Sequence, residues 1–409
     1  MNRTKPELLA PAGSLEKLKY AVAYGADAVY IGGEAFSLRV AAKNFTLEEI
    51  KEGIEFAHER GKKVYITANI IPHNADIKHF PDFVREVDKL GADAIIVADL
   101  GTFAIVKEVA PNLAVHISTQ ANNTNYKSAQ MWHKLGAKRI ILARDLSFDE
   151  IREIRDNLPS DCEIEAFVHG AMCISYSGRC LLSNYLTHRD ANKGACAHPC
   201  RWKYYLMEEK RPGEYMPVFE NERGSFIYNS KDLCMIEHIP QLIDAGIDSF
   251  KIEGRVKNEL YVATVIKAYR RAIDGYFENP DFKVDQTITS ELEKVSHREY
   301  TPGFYFGKPD GNQQLYTSNT YIQNYTIVGV VKDYKDGIAT IMQKNRFFKG
   351  DVLEVISPNG EDFSFVADDM RNADGEPIEV APHAQMTVFM PMPETAEYAI
   401  IRKKIGDDK

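Results

Sequence analysis

The chain has 409 residues, of which 44% are hydrophobic and 27% charged, and its 59 acidic and 50 basic side chains leave a formal net charge of −9. That composition marks an ordinary globular protein of two or three domains, and the charge excludes a surface coated in basic residues without excluding a local basic patch. No run of about 18 apolar residues is present to span a membrane, and the start, Met1-Asn-Arg-Thr-Lys-Pro-Glu7, leads into no apolar core of a secretory signal, so the expected location is the cytoplasm.

Short apolar runs, rich in β-branched residues, alternate with helical patterns over the first 276 residues. In chain order the predicted strands are Glu7–Ala10, Ala28–Ile31, Val64–Thr67, Ala94–Val97, Ala114–Ile117, Arg139–Leu142, Glu163–Phe167 and Ser249–Ile252. Gly25, Gly61, Gly91, Gly136 and Gly246 each stand between a helical pattern and the next strand, where a glycine can take the left-handed conformation that ends a helix. Ser14 precedes one helical pattern, and Thr46 precedes another with Glu49 at the capping-box offset. Eight strands alternating with helices predict a parallel (β/α)8 barrel of the TIM type, and no Gly-x-Gly-x-x-Gly turn follows the first strand to favour an open dinucleotide-binding sheet.

A barrel places its site where strands end. Those ends carry Asn69, His73, Asp99, His116, Ser118, Thr119, Gln120, Asn122, Asn123, Arg144 and Asp145, and then Glu165, His169, Lys251, Glu253 and Arg255. The last five are the candidate catalytic residues, having the carboxylates, imidazole and cations that move protons or orient a substrate. After strand seven comes an insertion over about 184–230, long enough to imply a function. In it Arg201–Glu208, Tyr215–Phe219 and Ser225–Asn229 read as strands of a small sheet. A helix is predicted over Val256–Tyr276 and a connector with one charged helix over 277–320. Alternating strands with turn signals then predict a small all-β barrel domain over 321–405.

Five of the six cysteines, Cys173, Cys180, Cys196, Cys200 and Cys234, fall in and around that insertion. In a reducing compartment, thiols gathered in this way are metal ligands or catalytic groups more often than disulfides. The pair Cys196-Ala-His-Pro-Cys200 suits zinc, whereas the wide spread of the others fits a cluster pocket gathered from several loops. Cys162, at the start of a strand, reads as a small buried hydrophobe. Basic residues collect nearby (Arg179, Arg189, Lys193, Arg201 and Lys203) beside Tyr185, Trp202, Tyr204 and Tyr205, a pairing expected for phosphate neutralisation and base stacking on RNA. In the last domain, Lys344, Arg346 and Lys349 form the only basic cluster. No His-Glu-x-x-His motif and no Gly-x-Ser-x-Gly elbow is present.

The run Glu165-x-Phe-x-x-Gly170-Ala-Met-Cys173-x4-Gly178-x-Cys180-x-Leu-Ser183 resembles the signature of the collagenase-like peptidase family U-32. The likeness extends through Asn192-Lys-Gly194-x-Cys196-x3-Cys200-Arg-Trp202, Ser230-Lys-Asp-Leu-Cys234, Lys251-Ile-Glu-Gly-Arg255 and Ser296-His-Arg-x-Tyr300-Thr-x-Gly303-Phe-Tyr-Phe-Gly307. Length and a terminal β-domain place the resemblance in the branch of that family concerned with bacterial tRNA hydroxylation. It implies an RNA-modifying enzyme that takes part in forming 5-hydroxyuridine at the tRNA wobble position, with prephenate or a derivative as pathway co-substrate. A paralogous subunit is a conceivable partner. The resemblance also implies a 4Fe–4S cluster on Cys173, Cys180, Cys196 and Cys234, with Cys200 as the alternative ligand. The family's older label implies a peptidase instead, and a scaffold subunit that binds RNA without modifying it is a third reading.

Overall fold

The structure is a computed structural model that describes residues 4–33, 36–37, 44–173, 175–202, 205–206, 216–217, 231–307 and 321–406. All eight expected strands form: β1 (Glu7–Pro11), β2 (Ala28–Gly32), β3 (Lys63–Thr67), β4 (Ala94–Val97), β5 (Ala114–Ile117), β6 (Arg139–Ile141), β7 (Glu163–Ala171) and β8 (Ser249–Ile252). Each pairs in parallel with the next, and β8 pairs with both β7 and β1, which closes the barrel. The strands are buried on both faces, as a parallel sheet wrapped in helices requires.

The helices between them begin where their caps dictate. Ser14 Oγ accepts from the Lys17 N–H ahead of helix Leu15–Ala23, and Thr46 and Glu49 make a reciprocal capping box ahead of Leu47–His58. Such caps contribute about 1 kcal/mol each. Gly25, Gly61, Gly91, Gly136 and Gly246 all take positive φ, so the repeated helix-to-strand turn is real. The helix expected from Val256 begins instead at Glu259, because the Asn258 side chain caps Tyr261 N–H, and it runs on to Glu278.

Strand β7 outruns its predicted end. Past the barrel rim, Gly170 and its neighbours pair antiparallel with Asp232–Cys234, which in turn pairs with Tyr300–Thr301. The insertion between them holds a helix (Leu182–Thr187), two 3-10 turns (Ala191–Lys193 and Pro199–Arg201) and a hairpin of Tyr205–Leu206 with Met216–Pro217. The third expected strand, Ser225–Asn229, lies outside the described residues, as does Lys203. The insertion docks on the loop after β3, where Ile71 N–H donates to Asn192 O at 3.2 Å and Lys193 pairs with Asp76 at 3.0 Å.

The C-terminal strands β9 (Tyr325–Lys335), β10 (Ile338–Gln343), β11 (Val352–Ile356), β12 (Phe363–Val366), β13 (Thr387–Pro391) and β14 (Ile400–Lys404) form an antiparallel half-barrel in the order β12-β11-β14-β9-β10-β13. Its own core includes Val331, Ile341 and Leu353, while Ile327, Val330, Ile356 and Ile400 join the core of the (β/α)8 barrel. Polar contacts lock the two together. Tyr24 O–H donates to Ile356 O at 2.7 Å, and Arg402, fully buried, pairs with Glu291 at 2.8 Å and Glu354 at 2.7 Å. Among the described residues no helix is long and apolar enough to cross a membrane.

Candidate functional site

The barrel interior is filled by ions as well as by aliphatic side chains. Arg139 on β6 reaches Glu7 on β1 at 2.6 Å, Glu163 at 2.7 Å and Glu165 on β7 at 3.0 Å. Glu165 is wholly buried, and its other oxygen accepts from Lys251 Nζ at 2.6 Å. Tyr65 and Ser249 complete the hydrogen bonding of Glu7. Burial alone would raise the Glu7 pKa, but the Arg139 guanidinium and these donors hold it below the usual carboxylate range. Burial lowers the Lys251 pKa, with Glu165 acting against it. His116 on β5 stands edge-on to Tyr65 at 4.7 Å, and burial, aided by the Arg139 charge, holds it neutral.

Above this plug opens a cavity of about 230 Å³ with three chemically different walls. One is cationic: Lys251, Arg255 and Lys257 project from β8 and the segment after it, and Glu253 beside them pairs with Arg144 at 3.1 Å. One is neutral and polar: Thr67, Asn69, Ser118, Thr119 and Gln120, from the ends of β3 and β5. The third is the insertion, which brings Cys173, Cys180, Cys196 and Cys200 to the same cavity. Arg255 Nη1 donates to Ser37 Oγ at 2.7 Å and to Thr67 Oγ1 at 3.1 Å, tying the first wall to the second.

The structure therefore brings Lys251, Glu253, Arg255 and four of the thiols together at one mouth. It does not bring Glu165, His169 or Cys234 to the cavity lining. Glu165 lies below, with both oxygens committed to ion pairs. His169 lies behind the wall, ringed by Tyr261, Tyr269 and Tyr300, and burial with the neighbouring His297 pushes its pKa down to about 3. Cys234 sits opposite His169 in the antiparallel pairing, with Sγ 4.0 Å from Tyr269 O–H, and burial pushes its thiol up to about 11.

All six cysteines are free thiols. Among the described residues no three His, Cys, Asp or Glu side chains are near enough to hold a single metal ion. Thiolates are the usual donors to a cluster of several irons, which is wider than one ion, so a cavity lined by four cysteines fits such a group in donor type. Cys162 is buried and apart from the others, its pKa pushed up to about 11 by burial.

Of the basic residues expected to meet RNA, Arg179 and Arg189 are exposed at the insertion surface, though Arg189 Nε donates to Ala195 O at 3.0 Å. Lys193 gives its charge to Asp76. Arg201 lies in the Pro199–Arg201 turn, and Tyr185 is 84% exposed beside it in the insertion. In the half-barrel, Lys344 pairs with Glu16 of the barrel at 3.2 Å, so this member of the basic cluster faces the domain junction. Lys257 and Tyr321 are among the lining residues that escaped the sequence reading. Lys257 continues the alternation Lys251, Glu253, Arg255 and could have been found by it. Tyr321, whose ring lies 4.0 Å from Lys257 Nζ, arrives from the start of the half-barrel and left no signal.

Fold and site together define a (β/α)8-barrel protein with a thiol-bearing insertion over a cationic mouth. Comparison with known proteins gives the family. The chain matches the Peptidase family U32 model over residues 13–315 and the U32 C-terminal domain model over 323–402, and it belongs to that family. It is 44% identical to tRNA hydroxylation protein P1 of Bacillus subtilis over 93% of this chain and 90% of that one. It is 39% identical to tRNA hydroxylation protein P of Escherichia coli over 99% and 98%. It is 46% identical to an uncharacterized protease of Methanocaldococcus jannaschii over 73% of each.

Proposed function

We propose that this protein is a tRNA-modifying enzyme that takes part in hydroxylating a uridine of tRNA, forming 5-hydroxyuridine at the wobble position. The observation that carries the reading is end-to-end similarity, half-barrel included, to relatives named for tRNA hydroxylation. Hydroxylating a carbon of the uracil ring is a two-electron oxidation, and no amino-acid side chain takes up those electrons or supplies the oxygen. Cys173, Cys180 and Cys234 would hold a 4Fe–4S cluster with Cys196 or Cys200 as fourth ligand, and such a cluster supplies electron transfer when bound. Prephenate or a derivative would be the pathway co-substrate, its carboxylates suited to the Arg255 and Lys257 wall.

The protein's own groups have separable tasks in this reading. A base must leave its stack to reach the mouth. Exposed Tyr185 and Trp202 offer faces for stacking, and Arg179, Arg189, Arg201 and Lys203 offer charge for phosphates. Glu253 and Arg144 brace one another at the rim, and Glu165 pairs with Lys251 on the cavity floor. The insertion forms one wall of the mouth.

The test is mass spectrometry of tRNA from a strain lacking this protein and its paralogues. Loss of wobble 5-hydroxyuridine, restored by the wild-type gene and not by Cys173→Ser, is expected. An unchanged nucleoside profile would refute the reading. The similarity to a protein named a protease favours a second reading, peptide hydrolysis. Cleavage by purified protein that survives serine substitution at all four proposed ligands would favour it.

A further inference from the structure

The neutral wall of the cavity is short of donors. Asn69 Nδ2 donates to Ser118 Oγ at 3.1 Å, and the same oxygen accepts from Gln120 N–H at 3.2 Å. One of the two Asn69 Nδ2 protons is thereby committed, and the oxygen is left without a donor among the described residues. Asn69 Oδ1 and Gln120 Oε1 are both buried with no donor among the described residues. A buried carbonyl without a donor is costly, and such atoms persist where a ligand supplies the missing proton.

The insertion closes on this wall. Gly178, at φ 73°, lies over the Gln120 carboxamide, and a Cβ there would stand 2.5 Å from Gln120 Oε1 and 3.1 Å from Gln120 O. A side chain there would push the Gln120 carboxamide aside in a backbone conformation that L residues rarely adopt, which gives the glycine of the cysteine motif a physical reason. The opposite wall, with Lys251, Arg255 and Lys257, suits anions. A nucleoside entering the mouth would thus turn its uncharged edge toward Asn69 and Gln120.

We propose that Asn69 and Gln120, held by Ser118, are the residues that select the target base, by accepting the ring N–H of a uracil. The proposal rests on the tRNA-uridine reading and names the residues that would read the base. Uracil carries a single ring N–H at N3 between two carbonyls, so one of these oxygens accepts that proton while a carboxamide N–H of the pair donates to a flanking carbonyl. Cytosine has a lone pair at that ring position, which a carboxamide oxygen repels. A neutral wall also discriminates without attracting phosphate, leaving affinity to the basic surface and choice to the cavity.

The experiment uses full-length protein and two anticodon stem–loops that differ only in uridine or cytidine at the wobble position. Affinities are read by fluorescence anisotropy at several salt concentrations. Wild-type protein is expected to prefer uridine by at least about tenfold. Asn69→Leu should abolish that preference while leaving cytidine affinity and the salt slope unchanged, because the phosphate contacts are untouched. Asn69→Asp keeps an acceptor and should retain the preference. Gln120→Leu, and Gly178→Ala, which displaces the Gln120 carboxamide, serve if Asn69→Leu fails to fold by circular dichroism. Preference retained in the leucine variants, or equal loss for both RNAs, overturns the assignment of the wall. Wild-type protein that binds neither RNA overturns the tRNA reading itself, and wild-type binding without preference overturns only the inference.

Discussion

On the floor of the barrel Glu7 and Glu165 have both carboxylate oxygens paired, whereas Asn69 and Gln120 at the mouth, and Asn122 and Asn123 after β5, each keep a buried side-chain polar atom without a partner among the described residues. His116 Nδ1 is the floor's exception, and there burial and the Arg139 charge keep the ring neutral. The same strands supply both regions, a few residues apart. Satisfied polar groups fix a structure, and unsatisfied ones cost stability unless a ligand completes them. The difference separates what β-barrel folding requires from what binding requires, in line with stability residing at the lower end of such barrels and chemistry at the upper.

The strongest way to break this comparison is to remove the hub of the floor. Arg139→Met deletes the guanidinium shared by Glu7, Glu163 and Glu165 and leaves wholly buried Glu165 with Lys251 alone. Breaking a buried ion pair from one side costs about 3–5 kcal/mol. Denaturant unfolding should show a loss of that size. A loss under about 1 kcal/mol would mean that the floor is not held by its ions.

His169 extends the test to the region behind the mouth. Its folded pKa is held down near 3 by burial and His297, while an unfolded histidine titrates near 6.5. Above the unfolded value both states are neutral and stability is full. As pH falls below it the unfolded chain takes a proton that the folded chain refuses, so stability declines by up to about 1.4 kcal/mol per pH unit. His169→Gln should remove its share of that slope from melts taken between about pH 6.5 and 5, leaving the share of His116, which burial also holds neutral. An unchanged slope in the variant would assign the acid sensitivity elsewhere.

How much of this was legible in the sequence follows from distance along the chain. Strands declare themselves by local β-branched runs, and caps such as Ser14 and Thr46 by neighbours three residues away, so the barrel could be read. The floor could not, because its pairs join residues such as Arg139 and Glu7, 132 positions apart. Strand Asp232–Cys234 was missed because three residues carry no period, and only its partner, the overlong end of β7, makes it a strand. The cysteines stood out by rarity and motif, and the share of the cavity they line was readable in kind. The amide wall was visible as polar strand ends, but the contact of Gly178 with Gln120 required the insertion folded over the mouth.

A smaller effect is expected where ions meet solvent. Lys344 and Glu16 join the half-barrel to helix Leu15–Ala23 at 3.2 Å, both partly exposed. Exposed pairs contribute about 0.2–1 kcal/mol. Lys344→Ala should therefore lower stability by no more than that, measurably less in high salt, and should leave the salt slope of RNA binding unchanged. A flattened slope would return Lys344 to the RNA-facing surface and loosen the domain junction drawn above.

The smallest change in stability should come from Asn69→Leu, and it sharpens the comparison most. The substitution keeps a side chain of similar size and removes the hydrogen bond to Ser118 Oγ, a loss of about 1 kcal/mol. It also removes a buried carbonyl that lacks a donor, which returns about 1–3 kcal/mol. The two nearly cancel, so the midpoint of denaturant unfolding should stay where it is or rise slightly. Arg139→Met and Asn69→Leu both delete a polar group from the same barrel, yet the first should destabilise it strongly and the second should leave its stability nearly unchanged while impairing RNA selection. A large loss of stability in Asn69→Leu would show that the mouth is held together as the floor is, and its unpaired oxygens would then need another explanation.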